Sequence, residues 1–333
     1  MQTEKDAQGE QTPQPVQAEE VKPVFPDHKL AALGRIGIMW RAPFGYDGGR
    51  HYFREQSPEF YAGYSLWTKS VLPTNEQLIR WKISQGENGP VISLAAKSYG
   101  TMFHYFVARH EDRNDEYQFK MHGPAASEWL EYIRTQVATL GLPVLYVEDW
   151  ERKFRNDMLA YFNWKREHQV NVLAIEAPVY SDEFRIATPV DMVCECLVKE
   201  TPYAKKPTKK VVAAVDFKTG ENGVDYDEYK LQLMFIKHAW NERFAETPYA
   251  MTGIFNWAPK KRSMSNGGFH FVNQDGRFSE RQFLHYAAGC EIHEINKPTG
   301  KVLVYKDGPD GPELDTVDPY TWLRLFFGTE LPM

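Results

Sequence analysis

The chain has 333 residues, of which 42% are hydrophobic and 14% aromatic, enough to fill one large core or two small ones. Its formal net charge of −6 argues against a generally basic coat for nucleic acid, although local lysine clusters can still guide a phosphate backbone. The chain contains no run of about 18 uninterrupted apolar residues and no basic start followed by an apolar segment, which predicts a cytoplasmic protein without a membrane span.

The cysteines limit the metal chemistry that this chain can support. Cys194, Cys196 and Cys290 give an odd count without a C-x-x-C pair. Neither a disulfide framework nor a four-thiolate zinc or iron–sulfur site can be built from them. Any bound metal is therefore expected to be held mainly by carboxylate and imidazole groups.

The N-terminal part of the chain divides into a tail and a lead-in. Residues 1–26 are rich in Gln, Glu, Pro and Lys and almost free of large apolar side chains, which predicts a disordered tail. The segment 51–86 is typical of a short strand or hairpin followed by a helix. That helix is expected to begin near Thr74 or Asn75, where a capping residue precedes an apolar pattern.

Three helices are predicted next, over 91–109, 127–140 and 148–168. The first carries an apolar stripe at helical spacing, formed by Ala95, Tyr99, Met102, Phe103 and Phe106. His104 lies beside this stripe, over the small residue Gly100. A lone histidine in such a place is more often a core or surface residue than a ligand.

The period of the pattern then changes from helix to strand. The expected elements are antiparallel strands over 170–180, 183–197 and 211–219, a helix over 226–244, a strand over 249–257, a helix over 280–290, a hairpin rich in glycine and proline, and a final helix over 320–327. This order predicts an α/β protein in which a mixed sheet is flanked by helices.

Two acids interrupt the apolar sequence of successive strands, Asp191 in TPVDMV and Asp216 in AVDFKT. In neighbouring strands these carboxylates can converge, and both stay charged most simply when a divalent cation lies between them. Oxygen ligands favour Mg²⁺ or Mn²⁺. Lys218 follows Asp216 by two residues, so its ammonium leaves the same face of the strand.

Taken alone, the D-x-K pattern is more often an exposed salt bridge than a site. Two further residues strengthen the case. Glu176 is a third acid in an apolar strand, and Gln232 lies on the helix that follows Lys218. These polar residues are expected to meet at one place.

Four segments in this order resemble the RecB-like exonuclease branch of the PD-(D/E)XK nuclease superfamily. They are YGTMFHYF (residues 99–106), EAPVYSDEFRIATPVDMV (176–193), VVAAVDFKTG (211–220) and EYKLQLMFIKHAW (228–240). The resemblance covers about residues 52–257. It implies a restriction-endonuclease-like core with an N-terminal helical region, in which 27–257 is the nuclease domain, 52–168 its helical lead-in, 170–257 its catalytic core and 258–333 an extension packed on the core.

The resemblance also implies roles for individual residues. His104, Asp191 and Asp216 would bind the metal, Lys218 would position water or neutralise charge, and Gln232 would contact the end of the DNA strand or brace the site. Glu176, which is suggested by its place in an apolar strand and not by the resemblance, would act as an outer ligand or orient the site. The family's glycine before the second acid is absent here, and Ile236 stands where the family has a tyrosine.

The implied function is a metal-dependent DNA exonuclease of recombination, repair or phage DNA processing. A phage-encoded protein would work in the host cytoplasm. Candidate phosphate contacts are Lys205, Lys206, Lys209, Lys210, Lys260 and Lys261, although such clusters are more commonly solvated loops. Because the chain has no Walker A motif, a helicase, a single-strand annealing protein or another recombination factor would be a separate partner. Related exonucleases form toroidal assemblies, so the resemblance allows a homo-oligomer.

A rival interpretation is a nuclease-fold protein that binds DNA or a partner without cutting. The lost family glycine and tyrosine favour it, whereas the intact His, Asp and Asp-x-Lys residues disfavour it because buried paired acids are costly. An unrelated enzyme that uses D-x-K as a salt bridge has no supporting motif, since GxSxG, HExxH and GxGxxG are all absent.

Overall fold

A computed structural model describes residues 39–41, 51–54, 59–64, 86, 89–112, 119–123, 126–201, 203–220, 227–260, 267–276, 280–292, 302–308 and 311–327. Three predictions lie outside these residues: the disordered tail 1–26, the helix expected from Thr74 or Asn75, and the phosphate contact of Lys261.

The described residues form six helices and ten strands. The helices are α1 (Gly89–Glu111), α2 (Ser127–Thr139), α3 (Leu145–Glu167), α4 (Asp227–Phe244), α5 (Glu280–Ile292) and α6 (Pro319–Phe327). The strands are β1 (Met39–Arg41), β2 (His51–Arg54), β3 (Phe60–Gly63), β4 (Asn171–Ser181), β5 (Ile186–Val198), β6 (Lys209–Phe217), β7 (Gly253–Pro259), β8 (Phe269–Asn273), β9 (Val302–Gly308) and β10 (Gly311–Val317). Among them, no helix combines the length and the apolar character needed to cross a bilayer.

Eight strands form one mixed sheet, and β9 and β10 form a separate hairpin. The strands β1, β2 and β3 are an antiparallel meander, and β3 pairs in parallel with β5. The predicted antiparallel order of β4, β5 and β6 is confirmed. Beyond them β7 runs parallel to β6, and β8 closes the sheet antiparallel to β7. The chain is thus an α/β protein with a mixed central sheet, as predicted.

The strand β5 is the organising element of the sheet. Along one edge it pairs with β4, from Ser181 opposite Ile186 to Asn171 opposite Glu195. Its other edge is shared, because β3 pairs only with the first two residues and β6 pairs only from Met192 onward. Asp191 lies in the interval between these two pairings. This interval leaves room beside the strand for a polar site.

Two apolar layers cover the two faces of the sheet. Alternate residues of a strand point to opposite faces, so β6 is apolar throughout its middle because it is buried on both sides. Val215 and its neighbours at every second position face a core built with α1, α2 and α3. Ala214 faces a second core built with α4 and α5. The sheet therefore carries helices on both faces.

The predicted helical stripe is confirmed, since Ala95, Tyr99, Met102, Phe103 and Phe106 are all buried. The glycine within α1 has a packing reason as well. A Cβ atom at Gly100 would lie 3.3 Å from Thr219 Oγ1, so the absence of a side chain lets α1 approach the segment that follows β6. Two strands are absent from the sequence prediction: β1, and β8, which lies in a segment expected to be a loop.

Candidate metal centre

Three side chains from three elements converge beside the middle of β5. His104 of α1, Glu176 of β4 and Asp191 of β5 each place one potential ligand atom within 4.8 Å of the other two. His104 Nδ1 lies 3.5 Å from Glu176 Oε1 and 3.4 Å from Asp191 Oδ1. All three side chains are partly buried, with Asp191 the least exposed at 15%. The predicted convergence of these residues is present.

The other nitrogen of His104 fixes the state of the ring. His104 Nε2 lies 3.1 Å from the carbonyl oxygen of Phe217. A carbonyl only accepts hydrogen bonds, so Nε2 carries a proton and donates it. Nδ1, which faces the two acids, is then the nitrogen free to bind a cation. Metal-binding histidines commonly donate their second ring N–H to such a carbonyl.

The backbone of Phe217 links this cluster to the Asp-x-Lys pair. Its N–H donates to Asp191 Oδ2 at 2.7 Å, while its carbonyl accepts from His104. Phe217 stands between Asp216 and Lys218 in the sequence. One peptide segment therefore sets the positions of His104, Asp191, Asp216 and Lys218.

Asp216 lies deeper than the three-residue cluster and is held by two donors. Lys218 Nζ donates to it at 2.8 Å, and Asn256 Nδ2 donates to its other oxygen at 2.6 Å. Asn256 is fully buried and stands opposite Asp216 in the β6–β7 register. The Lys218 ammonium also lies 3.7 Å above the ring of Tyr229. The cluster differs from the predicted ligand set in one member, since it contains Glu176 where Asp216 was expected.

Glu176 has an unusual backbone for a strand residue, with φ at +45°. Left-handed φ values cost a residue with a side chain about 1–2 kcal/mol. Such strain persists where the surrounding structure imposes it, and it is concentrated at functional sites. Here the distortion lets Glu176 turn its carboxylate toward His104.

The protonation equilibria of the site reflect burial and crowding of acids. Burial opposes the charged imidazolium of His104, but the Asp191 and Glu176 carboxylates hold its pKa well above the usual value. Burial raises the pKa of Glu176 and of Asp216, and Asp191 adds to both shifts by repulsion. Burial also opposes ionisation of Asp191, but His104, Lys218 and the backbone N–H of Phe217 together outweigh it and lower the pKa. For Lys218, burial is outweighed by Asp216 and Asp191, which raise its pKa.

These residues fit a divalent cation. Three carboxylates face two cationic groups, His104 and Lys218, which leaves one excess negative charge in a buried place. Exchange of the Nδ1 proton of His104 for a doubly charged ion would neutralise this excess. Carboxylate oxygens with one imidazole nitrogen suit Mg²⁺ or Mn²⁺.

A second polar network holds the segment that directly follows β6. Asp157 of α3 is buried and accepts hydrogen bonds from Tyr99 and Lys153. Lys153 Nζ also donates to the carbonyl of Thr219 at 3.0 Å. This network therefore anchors α1, α3 and the residue directly after Lys218.

The remaining predicted residues lie away from the acids. Gln232 is half-buried on α4 and makes no described hydrogen bond to His104, the three acids or Lys218. Lys209 and Lys210 begin β6, whereas Asp216 lies one residue before its end, a separation of roughly 20 Å at strand rise. Lys205 and Lys206 are exposed in the loop that precedes Lys209, and Lys210 is paired with Glu195 at 2.8 Å.

Lys260, at the other end of the sheet, is closer to the site in register. Exposed Lys260 directly follows β7, whose Trp257 pairs with Phe217. The role of these lysines in DNA binding stays a prediction.

Sequence reasoning missed Asn256 and Tyr229 as members of the site. A signal for Asn256 was present, because it interrupts the apolar strand GIFNWAP as the two acids interrupt theirs. Tyr229 lies in the first turn of α4, where nothing in the sequence sets it apart. The backbone contribution of Phe217 has no sequence signal, since any residue with an N–H and a carbonyl could provide it.

Comparison with models of known protein families found no match to this chain. A search of curated proteins likewise found no significant match. The geometry of the site and the resemblance of the four motifs are therefore what indicate a function for this chain.

Proposed function

We propose that this protein is a metal-dependent DNA nuclease of the RecB-like PD-(D/E)XK type, most simply an exonuclease. The observation that carries the proposal is the convergence of His104 Nδ1, Glu176 and Asp191 within 4.8 Å beside the Asp216–Lys218 pair. A histidine, a strand acid and Asp-x-Lys in this order, here His104, Asp191, Asp216 and Lys218, are the residues to which the family resemblance assigns the metal site. A mixed sheet with helices on both faces is compatible with such a core.

His104, Glu176, Asp191 and Asp216 would hold Mg²⁺ or Mn²⁺. When bound, such an ion polarises a phosphate oxygen and lowers the pKa of a coordinated water. The backbone carbonyl of Phe217 keeps His104 in the tautomer that exposes Nδ1. The backbone N–H of Phe217 fixes one oxygen of Asp191, so that the other oxygen faces the cluster. Asn256 holds the Asp216 carboxylate in place.

Lys218 would act as a cation and not as a base. Its ammonium is held by Asp216 at 2.8 Å and lies over the Tyr229 ring at 3.7 Å. A fixed positive charge of this kind stabilises negative charge that develops on a phosphate during hydrolysis. It can also orient an attacking water through one of its three N–H groups.

The test is cleavage of end-labelled linear DNA and of circular DNA in Mg²⁺ or Mn²⁺. Wild-type protein is expected to degrade the linear DNA, and Asp216→Ala and Lys218→Ala variants are expected to lose this activity. Binding of DNA without cleavage of either substrate would favour the rival, non-cutting protein. Undiminished cleavage by Asp216→Ala would refute the site assignment.

A further inference from the structure

A second cluster with metal-ligand chemistry lies on the other helical layer of the sheet. It is formed by Glu183 in the turn between β4 and β5 and by His238 and Glu242 of α4. Each offers one ligand atom within 4.8 Å of the other two. His238 and Glu242 are four residues apart, so they project from the same face of the helix. The cluster shares no residue with the centre at His104.

The imidazole of His238 points its Nε2 atom at both acids without forming a hydrogen bond. Nε2 lies 3.6 Å from Glu183 Oε2 and 3.5 Å from Glu242 Oε1. The atom is buried and has no hydrogen-bond partner among the residues that the structure describes. Buried polar atoms normally have such partners, so an unsatisfied one calls for a specific explanation.

The separations match those of ligands around a small tetrahedral cation. Zinc binds imidazole nitrogen and carboxylate oxygen at about 2.0–2.2 Å, which at a tetrahedral angle places neighbouring ligand atoms about 3.4 Å apart. The two measured distances from Nε2 are close to this value. They are too long for good hydrogen bonds, whose donor–acceptor distances are about 2.7–3.2 Å.

The surrounding contacts orient two of the three ligands, His238 and Glu242. The rings of Phe184 and Phe283 lie 5.2 Å and 5.5 Å from the imidazole and 5.8 Å from each other, so the three rings pack together as a triangle. The backbone N–H of Asp182 donates to Glu242 Oε2 at 3.2 Å, which leaves Oε1 directed at His238. Hydrogen bonds to the second oxygen of a carboxylate are the usual means of fixing a metal ligand.

We propose that Glu183, His238 and Glu242 form a second metal site, for Zn²⁺ or a related late first-row divalent ion. Its ligand set of one nitrogen and two oxygens differs from the acid-rich Mg²⁺ or Mn²⁺ centre at His104. Three protein ligands leave one position for water, and two of these ligands, His238 and Glu242, line a cavity of about 530 Å³. The ion would connect α4 to the β4–β5 turn and stabilise both. The proposal is independent of the nuclease function.

Zn²⁺ binding to the metal-free full-length chain tests this site. Asp191→Asn serves as the background because it weakens the centre at His104, which could also take Zn²⁺. In this background we expect one equivalent of Zn²⁺ to bind and to raise the melting temperature. Co²⁺ in place of Zn²⁺ is expected to give the visible absorption of a four- or five-coordinate site.

Adding Glu183→Gln is expected to weaken Zn²⁺ binding at least about tenfold and to remove the thermal shift. Glu183 is an exposed turn residue, so this change leaves the fold intact. His238→Phe is expected to abolish the Co²⁺ absorption, and the exposed control Glu246→Gln is expected to leave both signals unchanged. Absence of Zn²⁺ binding, or binding that neither Glu183→Gln nor His238→Phe weakens, would overturn the proposal.

Discussion

The strained backbone of Glu176 predicts an inversion of the normal order of Ala and Gly stabilities. In the middle of a strand, Gly is usually less stable than Ala by about 0.5–1 kcal/mol because it loses more backbone entropy on folding. At φ +45° an alanine keeps the left-handed cost of about 1–2 kcal/mol, whereas a glycine does not. Glu176→Gly is therefore expected to be more stable than Glu176→Ala, by up to about 1.5 kcal/mol once these two opposing effects are combined.

Glu195 of β5 provides the matched control. It is a half-buried strand glutamate whose φ is not positive, and both of its substitutions lose the same contacts to Lys210 and Asn171. There Glu195→Ala is expected to be more stable than Glu195→Gly by about 0.5–1 kcal/mol. Comparing the Ala–Gly difference in unfolding free energy at position 176 with that at position 195 gives the free energy of the left-handed strain, about 1–2 kcal/mol.

The measurement is urea denaturation of the four variants in a chelator, followed by tryptophan fluorescence. Both Glu176 variants lose the carboxylate, so the comparison does not depend on metal binding. If the Ala variant is more stable than the Gly variant at position 176 by the same free energy as at position 195, no left-handed strain is present at position 176. In that case Glu176 would not carry the conformational strain that the site is inferred to impose.

Three further predictions concern other residues. Asn256→Ala removes a donor to Asp216 and is expected to slow single-turnover cleavage about 10–100-fold, and an unchanged rate would contradict its positioning role. Lys218→Met keeps the stem but removes the ammonium, so turnover is expected to fall about 10²–10³-fold with unchanged Mn²⁺ stoichiometry, and loss of Mn²⁺ binding would show a structural role instead. Burial lowers the pKa of His168 in the folded protein. As the pH falls, the unfolded chain therefore protonates this histidine before the folded protein does, and the free energy of unfolding decreases below about pH 6.5. Urea denaturation at pH 5.5 and 7 is expected to show a smaller pH effect in His168→Phe, and identical effects in both proteins would refute this.

Much of the fold was predictable because its elements bury long periodic patterns. The helix α1 places five large apolar or small residues at helical spacing, and all five are buried. The strand β6 is apolar on both faces because helices cover both sides of the sheet. In contrast, β8 has only five residues, two of them exposed, and FHFVN alternates between apolar and polar only over its first three, which is too short a pattern to distinguish a strand from a loop.

Only those site residues could be predicted whose charged side chains interrupt an apolar strand sequence. Asp191 and Asp216 are conspicuous in their strands, and their adjacency follows from the antiparallel order of β5 and β6. The closeness of Glu176 to His104 depends on a left-handed backbone that no local pattern announces. The cluster of Glu183 with His238 joins a turn to a distant helix, so only the packing of α4 reveals it.

The most direct test of the metal-dependent nuclease proposal is the rate of nucleotide release from linear DNA as a function of Mn²⁺ concentration. Wild-type protein is compared with Asp191→Asn, which keeps the shape of the side chain but removes one ligand charge. The account predicts no release in a chelator, saturable activation of wild type by Mn²⁺, and at least about a 10³-fold lower rate in the variant. Release that persists in the chelator, or that Asp191→Asn leaves unchanged, would contradict it.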